Sequence, residues 1–338
     1  MGRGRPSMEL VEGDFLVEGP RRVAAGSVDA IVTSPPYNLG VAYASYQDDL
    51  SPRQYLEWTD RWGAEARRAL TPRGSLFVNL GSRPSDPAWP WEVARALGRR
   101  FRLQNVIHWV KSISIARRDA GRSPGLSRDI TVGHYKPINS PRFLNDAHEY
   151  IFHFTVGGDV ELDRLAIGVP YEDVSNVGRW SAAGQGLHCR GNVWFIPYPT
   201  IQWRHRDRPH PATFPARLPE MCLRLHGLAR LRRAMDPFLG LGASAEAAAR
   251  LGVPFIGFEI EPAYLDYARR RLRDPDQSEI FEAPLAESDR DAPAPNRPRA
   301  STKRARAPGT FGLLKRSMVN VRQRKPRAPR SSLKENKG

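Results

Sequence analysis

The chain sets short runs of consecutive apolar residues against longer stretches whose apolar residues recur every three or four positions. VDAIVT (28–33), SLFVNLG (75–81) and FRLQNVIHWVK (101–111) are of the first kind. They are too short for helices, rich in β-branched and aromatic residues, and continuous enough to be buried on both faces of a parallel sheet. QYLEWTDRWGAEARRAL (54–70) is of the second kind: Tyr55, Leu56, Trp58, Trp62, Ala66 and Leu70 share helical spacing, and Thr71, Pro72 and Gly74 stop the run. ELVEG, just before Asp14, predicts a short strand, and WEVARALGRR a helix. Near residue 210 the rhythm returns. RLPEMCLRLHGL predicts a helix, RLRRAMD a strand, SAEAAARLG a helix closed by Gly252, VPFIGFEIE a strand and AYLDYARRRL a helix. Strands alternating with helices predict an α/β, doubly wound, Rossmann-like parallel sheet.

Residues 112–204 break the pattern with many Gly, Pro, Asn and Arg residues, and only EYIFHFT (149–155) reads as a strand of the sheet. The predicted organisation is therefore one α/β domain from 9–111 and 205–273 together with strand 149–155. Residues 112–204 form a loop-rich insert, and a tail at 274–338 is too poor in apolar residues to fold.

Charge sharpens this division. Of the net +16, residues 297–338 hold +13, fourteen Lys or Arg against Glu335, and the rest of the chain holds only +3. A polyanion partner is expected for the tail, while the folded part is nearly balanced. Arg outnumbers Lys so heavily (Lys111 and Lys136 are the only lysines before the tail) that single arginines carry little weight. Cys189 and Cys222 form no disulfide framework, no stretch of about 18 apolar residues is present, and MGRGRPS leads into no apolar signal region. A cytoplasmic protein that spans no membrane is expected.

Two loops carry the candidate chemistry. DPFLGLGAS (236–244) follows a strand and opens a helix, and Gly240 and Gly242 let the backbone approach a ligand closely. The next strand ends in Glu259 and Glu261, where acids hold ribose hydroxyls in nucleoside-binding α/β folds, although the third glycine of the dinucleotide fingerprint is missing. The second loop, TSPPYNLG (33–40), ends the strand VDAIVT. Ligands of open α/β sheets lie outside the carboxyl ends of the strands, so both loops are expected to line one crevice. Prolines make a stiff loop that donates no N–H but keeps its carbonyls. Ser34 and the Pro35 carbonyl are then fixed acceptors beside the Tyr37 ring, a site suited to a planar ring bearing an exocyclic amino group.

TSPPY followed far downstream by DPFLGLG resembles the S-adenosylmethionine-dependent amino-group DNA methyltransferases, in the circularly permuted order of their β group. The resemblance covers residues 9–273 and includes LVEGDFL, IHWVK, HEYIFHFT, HPATFPARLPEMCLRLH and IGFEIEPAYLDYARRRL. It implies S-adenosylmethionine as methyl donor. Asp236, Phe238, Gly240 and Gly242 would hold it, with Glu259 on the ribose, Asp14 on the adenine amino group, and His210 and Thr213 beside the methionine end. It makes Ser34, Pro35, Pro36 and Tyr37 the catalytic loop for a base flipped out of double-stranded DNA. Adenine-specific members mostly carry Asp or Asn where this chain has Ser34, so the resemblance favours cytosine N4 and leaves adenine N6 open. It also implies a restriction-modification setting, with a cognate endonuclease and a homodimer as open partners.

In the insert, Arg117, Arg118, Arg122, Arg128, Arg142, Arg179 and Arg190 are candidates for DNA contacts, with Asn139, Asn145 and Gln185 for base reading. No metal is expected. His148, Glu149 and His153 give HExxxH, one residue too long for the helical zinc motif and set in a strand. A DNA-binding protein that acts through the tail alone would need neither TSPPY nor DPFLGLG.

Overall fold

In a computed structural model, which describes residues 6–38, 40, 48–121, 126–133, 139–171, 186–197 and 214–273, the apolar runs pair into one eight-stranded sheet. Its strands are β1 (Met8–Glu12), β2 (Val28–Thr33), β3 (Leu70–Leu80), β4 (Arg102–Val110), β7 (His148–Thr155), β10 (Val193–Phe195), β11 (Ala234–Asp236) and β12 (Phe255–Glu259). Their spatial order is β1-β12-β11-β2-β3-β7-β4-β10. All pairings are parallel except those of β7, which runs antiparallel between β3 and β4. Among the described residues, the first strand pairs with the last, β1 parallel to β12.

Helices cover both faces. α1 (Phe15–Arg22), α2 (Pro52–Ala69) and α3 (Trp89–Leu97) bury Phe15, Tyr55, Trp62, Trp89 and Leu97 against Ile31, Leu76, Val78 and Phe152. On the other face α4 (Arg217–His226), α5 (Ala243–Arg250) and α6 (Pro262–Arg273) bury Leu218, Met221, Ala245, Ala248 and Leu265 against Val32, Phe77, Ile107 and Ile151. α2 starts where Ser51 and Gln54 form a reciprocal capping box with Pro52 at the first turn.

Three differences from the sequence expectation have physical causes. α1 is an unexpected helix, because Gly19 and Pro20 within it mask the helical pattern; it forms because the Asp14 carboxylate caps it, accepting from Leu16 N at 2.8 Å. β3 begins at Leu70 rather than Ser75. Thr71, Pro72 and Gly74, which read as a stop, lie where the register to β2 shifts, and proline is tolerated at such an irregularity. The insert also supplies a second strand to the main sheet: β10 pairs with β4 and buries Trp194. Among the described residues its other strands are two small antiparallel pairs. β5 (Ser112–Ile115) pairs with β6 (Ile130–Gly133), and β8 (Val169–Pro170) with β9 (Leu187–His188). The expected disordered tail at 274–338 lies outside the described residues.

Candidate active site

β2 and β11 are adjacent and parallel, so their carboxyl ends release the two loops side by side. Thr33 Oγ1 donates to Asp236 Oδ1 at 2.6 Å and ties the loops together at their roots. Beyond that bond lies a cavity lined from both loops: Ser34, Pro35, Pro36 and Tyr37 on one side, Pro237, Phe238, Leu239 and Gly240 on the other. Gly13, Asp14 and Phe15 after β1, Trp58 of α2, Phe214, Glu259 and Glu261 at and just after the end of β12, and Tyr264 of α6 also line it.

The glycine turn divides its labour. Gly240, at φ +53, lines the cavity, and its N–H donates to Glu259 Oε2 at 2.7 Å. Gly242, at φ +81, does not line it; a Cβ there would lie 2.7 Å from the Ala268 Cβ, so this glycine lets α5 pack against α6. Asp236 also stands behind the wall rather than in it. It is fully buried, accepting from Thr33, from Ser244 Oγ at 2.5 Å and from Phe238 N at 3.0 Å. Burial outweighs these three bonds and pushes its carboxyl up to about 6. Asp236 and Gly242, two of the four residues of this loop that the resemblance makes ligand-holding, thus brace the loop from outside the cavity wall. Phe238 packs against Trp58 (ring centroids 5.3 Å) and Trp62 (5.5 Å), which fixes the floor.

The cavity's charge is one-sided. Asp14, Glu259 and Glu261 line it, and no Lys, Arg or His does so among the described residues. Glu259 accepts from Glu261 N at 2.9 Å as well as from Gly240 N, yet burial, with Asp236 nearby, keeps its carboxyl above the ordinary range. Three carboxylates on the wall suit a ligand rich in hydroxyl and amino donors.

The proline loop is held from behind. The Pro36 carbonyl accepts from Tyr55 Oη at 2.5 Å, and the Tyr37 carbonyl from Trp89 Nε1 at 2.8 Å. Asn38, at φ +58, closes the loop through Asp48 Oδ1 and the Leu50 carbonyl. The Pro35 carbonyl meets no donor among the described residues, and Ser34 Oγ lies 2.7 Å from Tyr37 Oη. Both expected acceptors therefore stand at the cavity wall. Tyr37 Oη in turn reaches Glu149 Oε2 at 3.0 Å, Asn79 Nδ2 donates to Tyr37 Oη and to Glu149 Oε2 at 2.6 Å each, and Lys111 pairs with Glu149 at 2.9 Å.

Asn79, Lys111 and Glu149, which meet behind Tyr37, were not singled out from sequence as neighbours of the loop, although Lys111 stands out as one of two lysines before the tail and Glu149 lies within HExxxH. Trp58, Phe214 and Tyr264 carried no sequence signal beyond being apolar. His210, Thr213, Arg122 and Arg179 lie outside the described residues. Arg117, Arg118 and Arg128 lie between β5 and β6, a hairpin that leaves the sheet at the carboxyl end of β4, on the cavity's side. Arg142 is exposed over Phe143, whereas half-buried Arg190 donates to the Ile167 carbonyl and holds its own loop.

A DNA methylase family model matches residues 28–270. The type II methyltransferase M.HpaI of Haemophilus parainfluenzae is 26% identical, over 76% of this chain and 71% of that protein. The DNA adenine methyltransferase YhdJ of Escherichia coli (strain K12) is 24% identical, over 80% and 84%. Among solved structures, the PvuII DNA methyltransferase, described as cytosine-N4-specific, superposes with a TM-score of 0.52 at 16% identity, over 84% of this chain and 92% of that one. With the family model spanning both loops and the strands β2 and β11 that release them, this chain belongs to the DNA methylase family and is a DNA amino-methyltransferase.

Proposed function

We propose that the chain transfers a methyl group from S-adenosylmethionine to the exocyclic N4 of a cytosine flipped out of double-stranded DNA, as the methylating member of a type II restriction-modification system in the cytoplasm. The observation that carries this reading is the single cavity shared by Ser34–Tyr37 and the glycine turn, lined by three carboxylates and no cation among the described residues. S-adenosylmethionine supplies an electrophilic methyl on a positively charged sulfur. Glu259 would hold the ribose hydroxyls and Asp14 the adenine amino group, with Gly240 and Phe238 along the ligand. His210 and Thr213 would border its methionine end.

An amino nitrogen conjugated into a base is a poor nucleophile. Ser34 Oγ and the Pro35 carbonyl, each accepting one amino hydrogen, favour a pyramidal nitrogen and localise its lone pair. They also stabilise the positive charge that develops there until one amino proton leaves to water. Holding the two reactants in line contributes about 7–11 kcal/mol, and flipping the base costs about a few kcal/mol. The 112–204 insert is assigned to target recognition, with Arg117, Arg118, Arg128 and Arg142 on phosphates, and the basic tail to sequence-independent attachment.

The test is labelled methyl transfer to unmethylated plasmid DNA, followed by nucleoside mass spectrometry. N4-methylcytosine, lost in Ser34→Ala and Tyr37→Ala, is expected. The likeness to an adenine methyltransferase makes N6 of adenine the second reading, and N6-methyladenine as sole product would establish it in place of the first.

A further inference from the structure

We propose that Glu149, anchored by Lys111, is the positioning residue that orients the hydroxyl chain Ser34–Tyr37, turning the lone pairs of Ser34 Oγ toward the target amino group. This rests on the amino-methyltransfer reading above and names a residue that neither loop motif contains.

Proton counting fixes the direction of each bond. Tyr37 Oη has one hydrogen and lies within bonding distance of both Glu149 Oε2 (3.0 Å) and Ser34 Oγ (2.7 Å). An ionised carboxylate can only accept. Burial alone would raise the Glu149 carboxyl, but the Lys111 ammonium and hydrogen bonds from Lys111, Asn79 and Tyr37 together outweigh it and hold the group below its ordinary range. The phenol therefore donates to Glu149. Ser34 must then donate its own hydrogen to Tyr37 Oη, alongside Asn79 Nδ2 at 2.6 Å. That leaves both Ser34 lone pairs for an incoming N–H donor, and the anion at the far end polarises the chain so that Ser34 accepts more strongly.

With Glu149 neutral the order reverses. Tyr37 Oη is free to donate to Ser34, and Ser34 then spends its hydrogen elsewhere, the Asn79 carbonyl at 3.5 Å being one acceptor at hand. One Ser34 lone pair is thereby lost to the substrate. Glu149 also fixes the Asn79 amide. Asn79 Nδ2 faces both Tyr37 and Glu149, while Oδ1 is buried with no partner among the described residues, an orientation that an anion on the nitrogen side explains.

Three variants test this on the full chain with S-adenosylmethionine and unmethylated plasmid DNA. Glu149→Gln should keep its affinity for S-adenosylmethionine by calorimetry and lose about ten- to hundredfold in single-turnover rate, the size of one charge-assisted hydrogen bond. Tyr37→Phe should lose a similar factor, and the double variant should lose little more, because both break one chain. Lys111→Met, with the anchoring cation gone, should move the acid limb of the pH-rate profile upward. In cofactor-free, carbon-13 glutamate-labelled protein, the Glu149 carboxyl signal, identified by its loss in Glu149→Gln, should titrate below the ordinary range and shift up in Lys111→Met. A wild-type rate in Glu149→Gln, fully multiplicative losses in the double variant, or an unmoved acid limb in Lys111→Met would overturn the inference while leaving the methyltransferase reading intact. Should Glu149→Gln not fold, the Lys111→Met profile and titration decide. Wild-type protein that binds S-adenosylmethionine but methylates no DNA overturns both.

Discussion

Thr33 Oγ1 donates to Asp236 Oδ1 at 2.6 Å, joining residues 203 apart in the chain at the point where the two loops leave the sheet. Asp236 therefore ties β2 to β11 from behind the cavity wall. Thr33→Val, which keeps the shape and removes the donor, should destabilise the fold by about 1–3 kcal/mol in urea unfolding, because a buried carboxylate is deprived of a hydrogen bond. It should also weaken S-adenosylmethionine binding through the loop root.

The two glycines of the turn should separate in their effects. Gly242→Ala puts a methyl 2.7 Å from Ala268 Cβ at φ +81, so it should cost about 1–3 kcal/mol of stability. Binding per folded molecule should be intact. Gly240→Ala, at the cavity wall, should instead weaken S-adenosylmethionine binding. Thermal melts with and without the ligand distinguish the two patterns.

Glu259 both lines the cavity and holds the Gly240 and Glu261 amides. Glu259→Gln should weaken binding by about ten- to hundredfold in calorimetry, as expected when charge-assisted hydrogen bonds are removed. It should leave the melting temperature of the ligand-free protein nearly unchanged or higher, because a carboxylate raised by burial is no longer present.

Acid stability should be governed by a buried chain on the other face of the sheet. Asn105 Nδ2 donates to His153 Nδ1, so His153 Nε2–H donates to Ser75 Oγ, and Ser75 donates to His226 Nδ1, each at 3.0 Å. Burial presses His153 down to about 3 and His226 to about 4, from 6.5. Below pH 6.5 the unfolded chain takes up protons that the folded chain refuses. Stability is therefore full above that pH and lost on acidification toward the folded values. Asp236, raised from 3.8 to about 6, acts oppositely, since the folded state holds its proton longer and gains relative stability as pH falls through that window. Unfolding free energy measured from about pH 7 to 5 should fall on balance, and more steeply in Asp236→Asn. Ser75→Ala should be destabilising at neutral pH by orphaning both rings.

The tail should matter only through salt. Deleting residues 297–338 removes fourteen cations, and the slope of log affinity for DNA against log salt should flatten by about 0.9 for each phosphate no longer neutralised. An unchanged slope would take the tail out of DNA binding.

What the chain's order of residues determined by itself is local. Strands such as Val28–Thr33 and helices such as Pro52–Ala69 were legible because burial periodicity is set over a few neighbouring residues. The two loops were legible because proline and glycine set the backbone's freedom wherever they occur and a downstream acid marks the chemistry beside them. The tertiary structure alone decided which polar groups meet. Asp236, with the sequence signature of a ligand residue, is buried as a strut because Thr33 arrives from 203 residues away. Glu149, which read as part of a failed metal motif, stands behind Tyr37 because β7 runs antiparallel between β3 and β4 and brings Asn79 and Lys111 to its carboxylate. Partners 38, 70 and 112 residues away leave no mark on the local pattern, and hydrogen bonding, unlike burial periodicity, depends on atoms that only the folded sheet places within reach.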